Sequence, residues 1–201
     1  LYYFRYDNSV VFRIFIAFKI DQRVTQLADD VIRHLKAAYQ EGFRAVKPSG
    51  FHITLVYLGD IERGLMLSIN KEITDVCDLT PPIRFAVKGL GVFPNWSRPN
   101  ILWLRIIDSK RELGTLRKHI VKAISGFDFP KVDSVFRPHI TLGRFKQEWK
   151  PADIHELKRI AALLKQDEPM HCTTMNLFVL ESTPTSRGVL YKPISESSLG
   201  G

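Results

Sequence analysis

The same four residues, His-Ile-Thr-Leu, occur twice in this chain of 201 residues, at His52–Leu55 and again at His139–Leu142. The hydrophobic patterns around the two copies follow the same order, β-α-β-α-β, with the second series 87 to 90 residues after the first. A near-constant offset between successive elements is typical of an internal duplication. The sequence therefore predicts two copies of one unit, each with the tetrapeptide on its middle strand.

Hydrophobic periodicity assigns the elements of each unit. Alternation with period 2 predicts strands, and apolar residues spaced three and four apart predict amphipathic helices. Strands are predicted at 12–18, 51–58, 83–88, 101–107, 136–145, 172–180 and 188–191, and helices from about residues 22, 64, 110 and 153. Residues 89–99, rich in Gly and Pro, are predicted to form a loop between the halves. Residues 195–201 are predicted to be a flexible tail.

Two helices carry local start and stop signals. Asp21 is expected to cap the first helix and Gly42 to end it. Ser109–Glu112 has the Ser-x-x-Glu pattern of a capping box and is predicted to open the third helix.

The predicted fold class is α+β. We expect two pseudo-symmetric lobes with antiparallel-rich sheets, helices on the outer faces and a central groove. The chain length suits a single domain covering 1–201, with lobe 1 at about 12–95 and lobe 2 at about 96–194.

The repeated motif has a specific chemical capacity. Alternate residues of a strand share one face about 6.6 Å apart, so each His lies on the same side as its Thr. If the lobes pair about a pseudo-twofold axis, two imidazoles and two hydroxyls converge on the groove. A neutral His and a protonated His can act as base and acid on a phosphodiester, and hydroxyls can donate to its non-bridging oxygens. The predicted catalytic residues are His52 and His139, and the predicted phosphate-binding residues are Thr54 and Thr141.

Charge and the remaining motifs limit the partners. Lys and Arg number 29 against 21 Asp and Glu, which gives a net charge of +8 and favours an anionic partner such as nucleic acid. The Gly-x-Gly at 89–91 lacks the third glycine and the following helix of a dinucleotide site. The other histidines lack the spacing of a metal site, so neither a metal nor a cofactor is expected: His34, His119, His155 and His171.

Cysteine use and hydropathy predict the compartment. Cys77 and Cys172 are too few for a disulfide framework and are expected to be buried, reduced thiols of a cytoplasmic protein. The longest apolar stretch, 10–18, is interrupted by Arg13 and is much shorter than the roughly 20 residues of a membrane helix. Residues 1–10 lack the pattern of a secretory signal. We expect no membrane contact, and no obligate protein partner is evident.

Several segments resemble motifs of one known family. They include Arg13–Ala17, Phe51–Gly59, Gly89–Pro94 and Arg137–Arg144, so the likeness extends over nearly the whole chain. The sequence resembles the two-histidine (2H) phosphoesterases, and among them the RNA 2′,3′-cyclic phosphodiesterases, also called 2′-5′ RNA ligases. The segment Gly188–Tyr191 departs slightly, with Val189 where the family usually has Gly-Pro.

The resemblance implies an activity and partners. It implies metal-independent hydrolysis of a terminal 2′,3′-cyclic phosphate on RNA or nucleotides to a 2′-phosphomonoester. By similarity, His52 would donate a proton to the departing 3′ oxygen and His139 would activate water. The reverse reaction on an RNA 5′-hydroxyl would make a 2′-5′ linkage. Two alternatives stay open: a phosphodiesterase acting on another small 2′,5′- or cyclic nucleotide, and a non-catalytic nucleotide- or RNA-binding module.

Four other side chains are weaker candidates. Arg137 is in phase with His139, whereas Arg144 is out of phase although the family motif includes it. For both arginines a solvated surface position is an equal alternative. Phe93 and Trp96 are candidates for stacking on a base, but packing in the core is favoured for them.

Overall fold

In the computed structural model, which describes residues 11–130, 132, 135–146, 148–163, 168–186 and 188–200, nine strands and four α-helices are found. The strands are β1 (Val11–Lys19), β2 (Phe43–Ala45), β3 (His52–Glu62), β4 (Ile83–Phe93), β5 (Ile101–Ile107), β6 (His139–Phe145), β7 (Met170–Thr174), β8 (Asn176–Thr185) and β9 (Gly188–Ser198). The helices are α1 (Gln22–Tyr39), α2 (Met66–Asp78), α3 (Glu112–Ala123) and α4 (Pro151–Leu163). The predicted α+β class is confirmed.

The strands form one antiparallel sheet whose centre is the pair of strands that carry the repeated motif. The order is β7-β4-β5-β6-β3-β1-β8-β9, and β2 adds to β6. The last strand of each predicted repeat pairs outside its own half of the chain: β4 pairs with β5, and β8 pairs with β1. Each half of the sheet is therefore built from both halves of the sequence, which ties the two predicted lobes together.

Alternation along β1 shows how the two faces of the sheet are buried. Ile14, Ile16 and Phe18 belong to the main hydrophobic core, together with the buried faces of all four helices. Phe15 and Ala17 point to the opposite face and pack with residues of β8 and with Tyr191 of β9. The helices thus cover one face, as predicted, and the other face remains for the site.

The helix termini agree with the sequence in one case and differ in another. The Asp21 carboxylate accepts a hydrogen bond from the backbone N–H of Val24 at 2.9 Å, so the predicted cap of α1 is confirmed. The predicted capping box before α3 is wrong. Asp108 instead accepts from the N–H groups of Leu113 and Gly114, while Arg111 takes a left-handed conformation with φ 57°. The helix begins at Glu112, so Ser109 is too early in the chain to cap it, and the Glu112 carboxylate accepts from the N–H of Arg84 on β4 at 2.7 Å.

Several predicted boundaries shift because strand pairing extends or interrupts them. The predicted loop 89–99 is wrong in its first part, since Gly89–Phe93 continues β4 after a register shift beside β5. The strand predicted at 51–58 runs on to Glu62, and the one predicted from 136 begins only at His139. Residues 172–180 are divided between β7, at one edge of the sheet, and β8, which lies next to the strand at the other end of the order. Helix α1 ends at Tyr39, and a short 3₁₀ turn runs from there to Gly42.

Residues 195–200 are held by regular pairing and side-chain contacts, so the predicted flexible tail is wrong for them, and Gly201 lies outside the described residues. Ser195–Ser198 belong to β9, and the side chain of Leu199 is only 3% exposed. The Ser195 hydroxyl donates to the side-chain oxygen of Asn70 on α2, and the N–H of Gly200 donates to the carbonyl of Cys77. These bonds give the segment partners that hydrophobic periodicity does not indicate.

Other expectations can be compared with the described residues. Cys77 and Cys172 are both buried free thiols, and no described helix is long and apolar enough to cross a membrane. Residues 1–10 and Leu164, which was predicted on α4, lie outside the described residues.

Candidate active site

The two copies of the motif meet at the centre of the sheet. Antiparallel pairing of Ile53 with Ile140 sets position 52 opposite 141 and position 54 opposite 139. Ile53 and Ile140 are fully buried in the core, so the flanking His and Thr side chains lie on the other face. The structure therefore brings both histidines and both threonines to one surface, as the sequence predicts.

Each histidine is held by a hydrogen bond within its own segment. The Nδ1 of His52 lies 2.7 Å from the carbonyl oxygen of Gly50, and the Nδ1 of His139 lies 2.8 Å from that of Arg137. A carbonyl oxygen only accepts, so Nδ1 must carry the proton and donate it. In the neutral ring the other nitrogen, Nε2, then has the lone pair. Both rings therefore present Nε2 as the atom that takes up or releases a proton.

The surroundings of the histidines favour their neutral forms. Burial lowers the pKa of His52 below its usual 6.5, and the nearby charge of His139 lowers it further against the opposing hydrogen bond to Gly50. Burial also lowers the pKa of His139, while its hydrogen bond to Arg137 opposes the shift. Because a positive charge on one ring disfavours a charge on the other, the state with one protonated and one neutral ring is accessible.

Aromatic rings pack against both histidines. The centroid of the His52 ring lies 4.8 Å from that of Phe15 and 4.9 Å from that of Tyr191. The centroid of the His139 ring lies 5.1 Å from that of Phe93 and 5.7 Å from that of Trp103. Contacts on this scale fix the ring planes and remove water from them.

The sequence predicted only some of these aromatic contacts with the histidines. Phe93, considered for stacking or for the core, contacts His139, whereas Trp96 packs against the core. The contacts of Phe15 and Tyr191 with His52 were missed. The repeat itself contained a signal for one of them, because Phe15 precedes Trp103 by 88 residues, within the offset range of the other elements.

Gly91, the second glycine of the central Gly-x-Gly, leaves space for the aromatic ring of Trp103 beside His139. Gly91 pairs with Trp103 across β4 and β5, and a Cβ on Gly91 would lie 2.3 Å from two carbons of the indole ring. No side chain tolerates such an approach, so the ring lies directly on the glycine backbone. The Gly-x-Gly therefore supports the aromatic wall of the site, formed by Phe93 and Trp103.

A cavity of about 620 Å³ opens beside the motif residues. Its lining combines aromatic rings, apolar side chains and two arginines with two of the motif residues: Thr54, Leu55, Tyr57, Phe93, Arg117, Pro130, Val132, Val135, Phe136, Arg137 and His139. Arg137, predicted to share the face of His139, thus borders the cavity. Arg144 is exposed and near enough to Tyr191 for its charge to lower the pKa of that phenol, against the larger upward effect of burial.

No cluster of three or more His, Cys, Asp or Glu side chains suited to a metal occurs in the part of the chain that the structure describes. Metal-independent activity stays a prediction. The arrangement supplies two proton-transfer groups, two hydroxyl donors and a cavity with positive charge. These groups suit acid–base chemistry on a phosphate ester.

Comparisons with known proteins indicate a family. A model of the 2′-5′ RNA ligase superfamily matches residues 22–184. The RNA 2′,3′-cyclic phosphodiesterase of Aquifex aeolicus is 28% identical over 193 residues, which cover 95% of this chain and 99% of the relative. The enzyme of the same name from Thermotoga maritima is 28% identical over 196 residues, 94% of this chain and 96% of the relative.

Solved structures share the fold. A protein of Thermus thermophilus superposes with a TM-score of 0.75 at 19% identity, covering 94% of this chain and 98% of that one. LigT of E. coli, crystallised with 3′-AMP, gives a TM-score of 0.69 at 18% identity, covering 96% of this chain and 100% of that one.

Proposed function

The chain belongs to the 2′-5′ RNA ligase superfamily, and we propose that it is an RNA 2′,3′-cyclic phosphodiesterase that uses His52 and His139 as an acid–base pair. The substrate class rests on the curated relatives, which carry this name and match nearly the whole chain. The catalytic assignment rests on the geometry of the two motifs.

The observation that carries the mechanism is the matched orientation of the two rings. Each Nδ1–H is bonded to a carbonyl two residues earlier in the chain, which leaves Nε2 of both histidines for the substrate. A neutral Nε2 accepts a proton and a protonated Nε2 donates one, so the two rings can serve as base and acid in one turnover. A single fixed ring could do only one of these tasks at a time.

The reaction then proceeds as an in-line displacement at phosphorus. His139 takes a proton from water as the water oxygen bonds to phosphorus. The bond from phosphorus to O3′ breaks, and His52 gives its proton to O3′. The product carries a 2′-phosphomonoester and a free 3′-hydroxyl. The pair ends with its protons exchanged, and exchange with solvent restores the starting state.

The hydroxyls of Thr54 and Thr141 act on the phosphate oxygens. Each threonine lies on the same face as a histidine and opposite the histidine of the other motif. Donation from a fixed hydroxyl stabilises the negative charge that grows on the non-bridging oxygens in the transition state. The same site run in reverse would join a 2′,3′-cyclic phosphate to an RNA 5′-hydroxyl through a 2′-5′ linkage.

The test is incubation with a nucleoside 2′,3′-cyclic phosphate and chromatographic identification of the product. We expect the 2′-phosphate, with rates lost in His52→Ala and His139→Ala. His119→Ala is the matched control, because His119 is exposed on α3, and it should retain full activity.

Each alternative gives a different outcome of the same test. Turnover of 2′,5′-linked oligonucleotides but not of the cyclic phosphate would identify a different phosphodiesterase. Binding of the cyclic phosphate without turnover would identify a binding module. Full activity in a folded single-histidine variant would overturn the mechanism.

A further inference from the structure

A basic side chain lies next to His139 on the strand that borders it. Arg105 on β5 is the cross-strand partner of His139 on β6, and side chains paired in this way lie about 5 Å apart at Cβ. The neighbours of Arg105 along the strand, Leu104 and Ile106, are buried in the core, so Arg105 lies on the same face as the two motifs. Arg105 is exposed. Because β5 and β3 lie on opposite sides of β6, its guanidinium is on the side of His139 that faces away from His52.

An irregularity of β4 brings a second basic residue beside Arg105. Two residues of β4, Lys88 and Gly89, oppose this single residue of β5 at a register shift, which is a β-bulge. Gly89 has a positive φ of 76°, a conformation that favours glycine. Val87, just before the bulge, is fully buried in the core, so Lys88 lies on the face of the motifs. The bulge therefore directs Lys88 to the position next to Arg105.

The part of the sheet beyond β6 carries charge of one sign on this face. Strands β5, β4 and β7 follow β6 in the sheet order and contain no Asp or Glu, and we call their Lys and Arg residues the basic flank: Arg84, Lys88 and Arg105. Arg84 lies on the same face, because its neighbours Ile83 and Phe85 are buried in the core. The Glu112 carboxylate bonds to the backbone N–H of Arg84, not to its guanidinium. Among the described residues, neither Arg84 nor Arg105 forms an ion pair with a carboxylate.

The sheet beyond His52 has a different character. There β1 and β8 contribute a buried apolar cluster: Phe15, Ala17, Phe178 and Leu180. Lys19, the cross-strand partner of His52, is turned onto this cluster, with Nζ 4.1 Å from the centroid of the Phe178 ring. The surface that surrounds the motifs is therefore asymmetric, basic beyond His139 and largely apolar beyond His52.

The direction of attack at phosphorus gives this asymmetry a consequence for function. In an in-line displacement the attacking and leaving oxygens lie on opposite sides of phosphorus. His139 takes the proton of the attacking group and His52 serves the leaving O3′, so the basic flank lies on the side from which the attacking group arrives. Water has no charge for the flank to bind. An RNA strand that attacks through its 5′-hydroxyl has a phosphodiester after its first nucleoside, which fits a row of cations.

We infer that the basic flank binds the RNA strand whose 5′-hydroxyl attacks the cyclic phosphate, and so favours the joining of two strands over hydrolysis. The inference rests on the proposed function and adds the binding surface of a second substrate. In the joining step, O5′ bonds to phosphorus as His139 takes its proton. The bond from phosphorus to O3′ breaks, and His52 gives its proton to O3′. The product is a 2′-5′ linkage beside a free 3′-hydroxyl, and Arg105 and Lys88 bind the first phosphodiester of the attacking strand.

Two attacking substrates of different length test the inference in one assay. The cyclic phosphate is supplied on an RNA that carries a 5′-phosphate, so that this RNA cannot itself attack. The attacking substrate is either a nucleoside or a trinucleotide with a 5′-hydroxyl that begins with the same nucleoside, at equal concentration. The measured quantity is the initial ratio of 2′-5′-joined product to 2′-phosphate product. In the wild-type enzyme this ratio should be about 10-fold higher with the trinucleotide, the usual effect of a charge-assisted hydrogen bond.

Variants of the basic flank should remove the preference for the trinucleotide. Arg105→Gln and Lys88→Gln should each lower the ratio towards the value found with the nucleoside, and a general loss of activity cancels because both products form in one reaction. Arg105→Lys keeps the charge and should retain part of the preference. Arg33→Gln is the control, because Arg33 lies exposed on α1 and pairs with Asp30, and it should keep the wild-type ratio. For a longer attacking RNA, the slope of log affinity against log salt should fall by about 0.7 in Arg105→Gln.

The outcomes separate the inference from the proposed function. Hydrolysis without joining, or equal ratios with the nucleoside and the trinucleotide, overturns the inference and leaves the phosphodiesterase intact. A preference for the trinucleotide that persists in both Arg105→Gln and Lys88→Gln also overturns it, because the attacking strand then binds elsewhere. Absence of both products overturns the proposed function. A preference that is lost in these two variants and kept in Arg33→Gln supports both.

Discussion

Replacement of Gly91 by alanine tests whether the aromatic wall determines the position of His139. The added Cβ would lie 2.3 Å from two ring carbons of Trp103 and 2.6 Å from a third. An ordinary contact begins near 3.4 Å, so the ring must move by about 1 Å. The ring stacks on Phe93 at 5.0 Å and lies 5.7 Å from His139, so its displacement changes the packing around both neighbours.

Both the stability cost and the loss of rate follow from this displacement. Overpacking of this kind costs about 1 to 3 kcal/mol. In a chain of this size, about 2 to 4 °C of Tm is lost for each kcal/mol. A displacement of about 1 Å at a catalytic group can lower the rate about 100-fold. We therefore expect Gly91→Ala to melt a few degrees lower and to lose about two orders of magnitude in kcat/KM.

Thermal unfolding and initial rates on a nucleoside 2′,3′-cyclic phosphate measure the two effects. Gly64→Ala is the matched control, because no atom lies within 4 Å of a Cβ built at Gly64. The double variant Gly91→Ala/Trp103→Leu removes the clashing ring and should be less destabilised than the sum of the two single changes. If Gly91→Ala matches Gly64→Ala in both Tm and rate, Trp103 does not fix the site.

Three further outcomes are expected. His52→Ala and His139→Ala should each lower kcat about 10²- to 10⁴-fold, and the double variant should be little worse, because the pair acts as a unit; strictly multiplicative losses would contradict this. The pKa of each histidine is lowered from 6.5, so the bell-shaped profile of kcat/KM should peak below pH 6.5. For the same reason, the free energy of unfolding should fall with acidification below pH 6.5, because the histidines of the unfolded chain take up protons there. Activity should survive a strong chelator, and a loss restored by one divalent ion would refute the metal-free site.

The sequence predicted what depends on local patterns. Period-2 alternation located the central strands, and the spacing of apolar residues located each of the four helices among the described residues. The repeated motif pointed to His52 and His139 as a candidate pair because its residues and its offset appear directly in the sequence, and the structure places both on one face of the sheet. The helix cap at Asp21 could be predicted from the sequence because a cap involves only a few consecutive residues.

The features that were missed depend on contacts between distant segments. The exchange of β4 and β8 between the halves of the sheet involves strands far apart in sequence. The capping box fails because the Glu112 carboxylate accepts from the N–H of Arg84 on β4, 28 residues earlier in the chain, while Asp108 caps the helix. Tyr191 reaches His52 only through pairing of β9 with β8 at the end of the chain. The hydrophobic periodicity of a segment does not indicate which distant segment it will contact.

The symmetry of the histidines leads to a last prediction about the product. Both rings are held alike, so the pair alone would accept a cyclic phosphate in two orientations, with O3′ or O2′ beside the proton donor. The walls of the cavity can distinguish these orientations, because Phe136 and Arg137 line it together with His139 but not with His52. Removal of these walls in Phe136→Ala with Arg137→Gln should therefore yield 3′-phosphate beside the 2′-phosphate, measured by chromatography against both standards. A weakened enzyme that still makes a single product would mean that the motif residues themselves orient the ribose.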